Sequence, residues 1–191
     1  MTSVKHAPAT REEGQRHLRS IIRRGAADDA PALSAFATRT FIDTYAEHHD
    51  PDNLRLHALD AFEPARQAQE LADPLTTTLL AHRGETLCGF AQMRCSAAPD
   101  CVADAMSVEL HRLYVDRRWH GRGVGQELLQ HVQRCAIGLG ATTLWLKVWE
   151  RNARAIAFYR KSGFIDIGVA YFLVRNDRLT DRVLIASLGP T

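Results

Sequence analysis

Long apolar runs are missing from this 191-residue chain: no stretch approaches the roughly 18 uninterrupted apolar residues of a membrane span, which argues against a membrane partner. The segment Met1–Gln15 is polar and carries acids, with no apolar core of a secretory signal. Cysteine is scarce. Cys88, Cys95, Cys101 and Cys135 include no C-x-x-C pair and no zinc-type spacing. They read as reduced thiols of a cytoplasmic protein, although Cys95 and Cys101 stand close enough in sequence to pair across a loop. A dominant charge is lacking as well; the net +2 is too small to imply a nucleic-acid partner by itself. Glu47-His48-His49-Asp50 offers no H-E-x-x-H arrangement and no second ligand cluster, so it reads as a solvated helix end, and no metal is expected. Internal repeats and low-complexity segments are absent too.

What is present suits one α/β domain of the α+β type over residues 16–191, preceded by a flexible tail over 1–15. His17–Arg23 is a short strand candidate. Ala26–Tyr45 reads as a helix, with Leu33, Phe36, Ala37, Phe41 and Tyr45 at three- and four-residue intervals. Asp28 and Asp29 suit its first turn. Asp50-Pro51-Asp52 opens a second helix carrying Leu54, Leu56, Leu59 and Phe62, and Glu63-Pro64 a third that ends near Asp73-Pro74. Strands follow: 76–82 and 86–94 flank the hairpin signal Arg83-Gly84-Glu85. A loop over 97–104 leads to a strand over 106–115. Later come a helix over 124–137 with the stripe Val124, Leu128, Val132 and Cys135, a strand over 142–149, a helix over 152–162 stopped by Gly163, and strands over 164–172 and 182–188.

Strand 106–115 changes face midway. Met106, Val108 and Leu110 share one parity, yet the apolar set resumes at Leu113 and Val115 on the other. One extra residue near His111-Arg112, a β-bulge, accounts for that. Directly after it stands His120-Gly121-Arg122-Gly123-Val124-Gly125-Gln126-Glu127, a glycine turn entering a helix. Glycines admit positive φ and close approach; successive amides and the helix dipole then make an anion site suited to a pyrophosphate. The same glycines would serve a tight connection with no ligand, but Arg117, Arg118 and Arg122 add positive charge beside it. A Walker loop needs Lys-Ser/Thr where Gln126-Glu127 stand, and G-x-G-x-G is not the dinucleotide fingerprint. A nucleotide-phosphate module is thereby disfavoured.

At these residues the chain resembles the GNAT superfamily of acyl-coenzyme A N-acyltransferases, whose loop Q/R-x-x-G-x-G/A is met by His120, Gly123 and Gly125. His120 stands where Gln or Arg is usual, a departure in one side chain of a loop that works mainly through backbone amides. Segment 149–164 resembles the family's C-terminal signature N-x-x-A-x-x-F-Y-x-x-x-G-F, met by Asn152, Ala155, Phe158, Tyr159, Gly163 and Phe164. The stretches Leu110–Val115, Leu146–Glu150 and Asn176–Asp181 resemble the branch that includes polyamine (spermine/spermidine) N-acetyltransferases.

The resemblance implies a mixed, mostly antiparallel sheet with helices on both faces and a bulged central strand. Acetyl-CoA would be the acetyl donor, bound at a splay between the strands ending near Val115 and Val148. Leu113, Tyr114 and Val115 would line the pantetheine, the loop His120–Gln126 would take the pyrophosphate, and Asn152 and Tyr159 would border the thioester. Asn152 also suits a helix N-cap. Tyr159, a phenol that keeps its proton at neutral pH, is the expected general acid for the leaving thiolate. Glu109, ahead of the bulge where relatives place an acid, is the expected general base; His111 is its rival and a solvated surface acid the bland alternative. Trp145 and Trp149 suit a pocket or the core. The expected acceptor is a small amine such as a polyamine, for which Asp43, Glu47, Asp50 and Asp52 are either an attractant or ordinary surface acids. The alternatives are a protein or peptide N-acetyltransferase and a non-catalytic acyl-CoA-binding module. An exposed last strand could pair across a homodimer.

Overall fold

Three prolines set the start of the chain's helical part. Pro31, Pro51 and Pro64 each occupy the first turn of a helix, where a missing N–H costs nothing. In the computed structural model, which describes residues 19–174 and 177–189, these are α1 (Ala30–Tyr45), α2 (Pro51–Ala61) and α3 (Pro64–Ala72). Pro31 also explains why α1 begins later than the apolar spacing suggests: residues Ala27–Asp29 form a separate 3-10 turn. Asp29 there receives the Arg23 guanidinium at 2.6 and 2.7 Å instead of sitting in the α-helix. In α2 the buried positions are Leu54, Ala58 and, just past the end, Phe62, whereas Leu56 and Leu59 face solvent.

The strands are β1 (Ile21–Arg24), β2 (Thr76–Arg83), β3 (Thr86–Arg94), β4 (Ser107–Val115), β5 (Thr143–Trp149), β6 (Ile165–Val174) and β7 (Asp177–Ser187). Helix α4 (Val124–Gly138) links β4 to β5, and α5 (Ala153–Lys161) links β5 to β6. The tail 1–15 and residues 17–18 of the first strand candidate lie outside the described residues, as does Asn176. All seven strands join one sheet in the order β1-β2-β3-β4-β5-β7-β6, antiparallel everywhere except between β4 and β5. The last strand is longer than its apolar part suggests and lies inside the sheet. Asp177–Asp181 is polar, yet it pairs with β6, and β7 is held by β5 on its other side. The edge on that side is β6, so a dimer through an exposed last strand is not available.

Helices cover both faces. On one, α4 and α5 bury Val124, Leu128, Leu129, Val132, Ala136 and Tyr159 against Val108, Leu110, Leu144, Leu146 and Leu184. Ala136, not Cys135, completes the buried stripe of α4. On the other, α1 and α2 pack Leu33, Phe36, Phe41 and Leu54 against Leu80 and Phe90. Gly89 on β3 lets α4 approach: a Cβ there would stand 3.0 Å from Leu128 and from the Tyr114 carbonyl. Beneath α3 a charged network crosses to the sheet. Glu70 accepts from Arg112 at 2.6 Å, Gln92 at 3.1 Å and Arg94 at 3.2 Å, tying the helix to the bulge region.

Candidate active site

The bulge is at His111. Gln92 pairs with Arg112 and Met93 with Leu110, leaving His111 without a cross-strand partner on β3. The extra residue turns Leu113 and Val115 onto the same core face as Val108 and Leu110, as the parity change requires. It also turns β4 away from β5. The two strands pair only from Ser107↔Thr143 to Glu109↔Trp145, and beyond that point they separate. The Asp116 amide donates to the Cys88 carbonyl at 3.0 Å on the β3 side, so strand alternation aims the backbone groups of Leu113 and Val115 into the opening.

At the far end of β4 the glycine loop closes the wedge. Gly121 and Gly123 take φ of 72° and 87°, and Gly123 is the N-cap of α4. The first amides of α4, at Val124, Gly125 and Gln126, have no carbonyl a turn earlier in the helix to bond. With the helix dipole behind them they suit a pyrophosphate, so the fit to coenzyme A is good on the chain's own geometry. His120 anchors this loop. Its Nε2 donates to the Val115 carbonyl at 2.8 Å, and its Nδ1 faces the Arg154 guanidinium at the start of α5. Burial and Arg154 both lower its pKa, consistent with this neutral tautomer. The imidazole therefore bolts the loop to both β4 and α5. Arg118, by contrast, is committed to Asp116 at 2.8 and 3.0 Å, and Arg39 shares that carboxylate. Its charge is neutralised locally and does not add to the anion site. Arg122 and Arg83 flank Trp119 at 5.4 and 5.2 Å from the ring centre.

Glu109 is not a solvated surface acid. It is 5 % exposed, at the point where β4 and β5 part. Ser96 donates to it at 2.8 Å, His111 Nδ1 lies 3.4 Å away and Lys147 Nζ 3.9 Å away. Burial raises its pKa, but His111, Ser96 and Lys147 together outweigh that, and the carboxyl stays below its usual range. His111 is also lowered, mainly by burial, against the pull of Glu109. On the opposite face of the sheet, Tyr159 is 7 % exposed and edge-on to Phe158 and Phe164. Burial drives its phenol far above the ordinary value, so the proton stays on. Tyr114 stacks on Phe90, and burial pushes its phenol up to about 12. Asn152 caps α5, its Oδ1 accepting from Ala155 at 3.1 Å. Gln126 accepts from Ser162 at 3.2 Å.

The acids of the first helices lie at the surface. Asp50 caps α2, Asp52 sits 3.9 Å from Arg55, and Asp43 and Glu47 are exposed. His48 and His49 are not a free helix end: with Tyr45 they surround Trp149 at ring separations of 5.1 to 5.3 Å. Trp145 is core, packed with Val102 and Val183. All four cysteines are free thiols, Cys95 and Cys101 included. Among the described residues no group of three or more His, Cys, Asp or Glu side chains could hold a metal, and no helix is long and apolar enough to cross a membrane.

A family model described as "Acetyltransferase (GNAT) family" matches residues 35–164. The chain is 31% identical over 160 residues to an uncharacterized N-acetyltransferase of Mycobacterium tuberculosis, covering 84% of this chain and 98% of that one. It is 33% identical over 111 residues to the N-alpha-acetyltransferase RimI of the same organism, covering 58% of this chain and 65% of RimI. The fold matches that of PaiA N-acetyltransferase from Thermoplasma acidophilum in complex with coenzyme A, with a TM-score of 0.73 at 20% identity over 89% of this chain and 99% of PaiA.

Proposed function

The chain belongs to the GNAT acetyltransferase family and is an acetyl-CoA-dependent N-acetyltransferase; we propose that it passes the acetyl group directly to a small cationic amine, such as a polyamine, within a ternary complex. The observation that carries this reading is the wedge between β4 and β5, with a buried carboxylate, Glu109, on one face and a buried phenol, Tyr159, on the other.

In this reading the backbone of Leu113, Tyr114 and Val115 runs beside the pantetheine arm, and the loop His120–Gln126 holds the pyrophosphate. Asn152 holds the first turn of α5 so that Tyr159 reaches the thioester. The acceptor arrives as an ammonium ion. Glu109, ionised and held by Ser96, takes one proton directly or through a water. The freed nitrogen attacks the thioester carbon, the C–N bond forms and the C–S bond breaks. Tyr159 hydrogen-bonds the departing sulfur and supplies its proton. The new amide nitrogen sheds its second proton, so the sum is amide, thiol and one released proton. No bond to the protein is formed.

A second reading, a peptide or protein N-terminal amine, is favoured by the likeness to RimI. Mass spectrometry of acetyl-CoA turnover against pooled polyamines, small monoamines and short peptides separates the two. An acetylated polyamine supports the first reading; an acetylated peptide with untouched polyamines replaces it by the second. Tight coenzyme A binding without product on any member would leave the binding module and contradict both.

A further inference from the structure

Several acids in this protein are given arginines. Glu70 has Arg112 and Arg94, Asp116 has Arg118 and Arg39, and Asp166 has Arg182. Asp181 on β7 has no arginine, and neither has Glu109, which Ser96, His111 and Lys147 hold instead. Asp181 is 8 % exposed, lies cross-strand from Trp149 on β5 and Ala170 on β6, and its carboxylate makes no hydrogen bond or ion pair with a described residue. Lys147 attracts it through space but makes its ion pair with Glu109, at 3.9 Å, and lies over the Trp145 ring at 5.9 Å. A buried carboxylate without a partner is normally selected against. One that persists points to a cation from outside the chain.

A buried atom without a hydrogen bond stands beside Trp149, the cross-strand neighbour of Asp181. His49 Nε2 is buried and bonds nothing, and its ring lies 5.1 Å from that of Trp149. Tyr45 and His48 complete an aromatic wall around the same indole. Tyr45 interacts electrostatically with Asp181 and with Tyr159. Aromatic faces grouped near one carboxylate are the surroundings that hold an ammonium ion.

We propose that Asp181, with Trp149, Tyr45 and His49, binds the ammonium group of the acceptor amine. The assignment rests on the amine-transfer reading and adds to it the residue that recognises the acceptor's charge. It explains two things the acid–base pair does not: why a charge is kept inside the sheet, and why residues from the end of α1, the end of β5 and the middle of β7 are grouped around Trp149.

The test is calorimetric binding of spermidine and of a short alanine-initiated peptide to the protein–coenzyme A complex, with turnover followed in parallel. Asp181→Asn should weaken binding of whichever probe the wild type takes by about tenfold or more, leaving coenzyme A affinity unchanged. Asp181→Glu, which keeps the charge, should recover part of the loss. Equal binding by wild type and Asp181→Asn, including no binding by either, would overturn the site. A binding difference without any turnover in the wild type would instead overturn the transfer reading and leave the ammonium site standing.

Discussion

Replacing Asp181 by Asn should make the protein more stable at neutral pH and a poorer amine binder at the same time. Burial raises the Asp181 carboxyl from 3.8 to about 6; Lys147 opposes that rise and Glu150 adds to it. The fold therefore favours the protonated side chain. Its contribution to stability is fully present below pH of about 4 and is lost as the pH climbs through about 6. Above that, the ionised group costs the folded state at most about 3 kcal/mol by the size of the shift, and less once solvent screening of the carboxylate is counted. Asn avoids this cost but must bury an amide in the same surroundings, so a net gain of about 1–3 kcal/mol is expected at pH 7.5. At about 2–4 °C per kcal/mol for a chain of this size, Tm should rise by several degrees. The charged and titratable groups facing Asp181 (Lys147, Glu150, Tyr45, Tyr114 and His49) are present in both proteins, so the difference isolates position 181. Thermal unfolding of both proteins from pH 4 to pH 8 checks it. The gap should be widest at the alkaline end and close near pH 4. A variant less stable than wild type at pH 7.5, or a gap that ignores pH, would refute the reasoning.

Tyr159→Phe should lower kcat by about 10²–10⁴-fold while the coenzyme A dissociation constant stays within about twofold; unchanged turnover removes Tyr159 from the chemistry. Glu109→Gln should slow the reaction by about 10²-fold or more and abolish the acidic limb of the kcat/KM profile, which in the wild type should fall below the usual carboxylate range because the carboxyl is held low. Should His111→Gln abolish that limb and Glu109→Gln leave it, the base is His111. Gly89→Ala should destabilise by about 1–3 kcal/mol and weaken coenzyme A binding, because the new Cβ meets the Tyr114 carbonyl and Leu128 at 3.0 Å and pushes the start of α4 away. Gly123→Ala, at φ 87°, should cost coenzyme A affinity with less effect on Tm, read by calorimetry and thermal unfolding together.

Local rules made much of this molecule legible. The parity change in 106–115 located the bulge to the pair His111-Arg112, since only an extra residue restores Leu113 and Val115 to the core face, and the strand register narrows it to His111. Asn152, Asp50 and Gly163 announced their helix ends because capping is decided within one turn. What stayed hidden depends on distant partners. Glu109 looks half-exposed on its strand until Ser96 and Lys147 close over it. Gly89 carries no local signal, and its importance comes from the approach of α4. Asp181 sits in a polar run that reads as a loop, and only the insertion of β7 between β5 and β6 buries it. Likewise Glu70 and Arg112 meet across 42 positions of sequence.

The central claim is direct acetyl transfer from acetyl-CoA to an amine at the wedge between β4 and β5. Its most direct test is mass spectrometry of both protein and small molecules after incubation with acetyl-labelled acetyl-CoA, with and without the amine pool. The account predicts label on an amine product only when both substrates are present, and none on the protein at any time. A stably labelled protein in the absence of amine, or no labelled amine from any member of the pool, would contradict it.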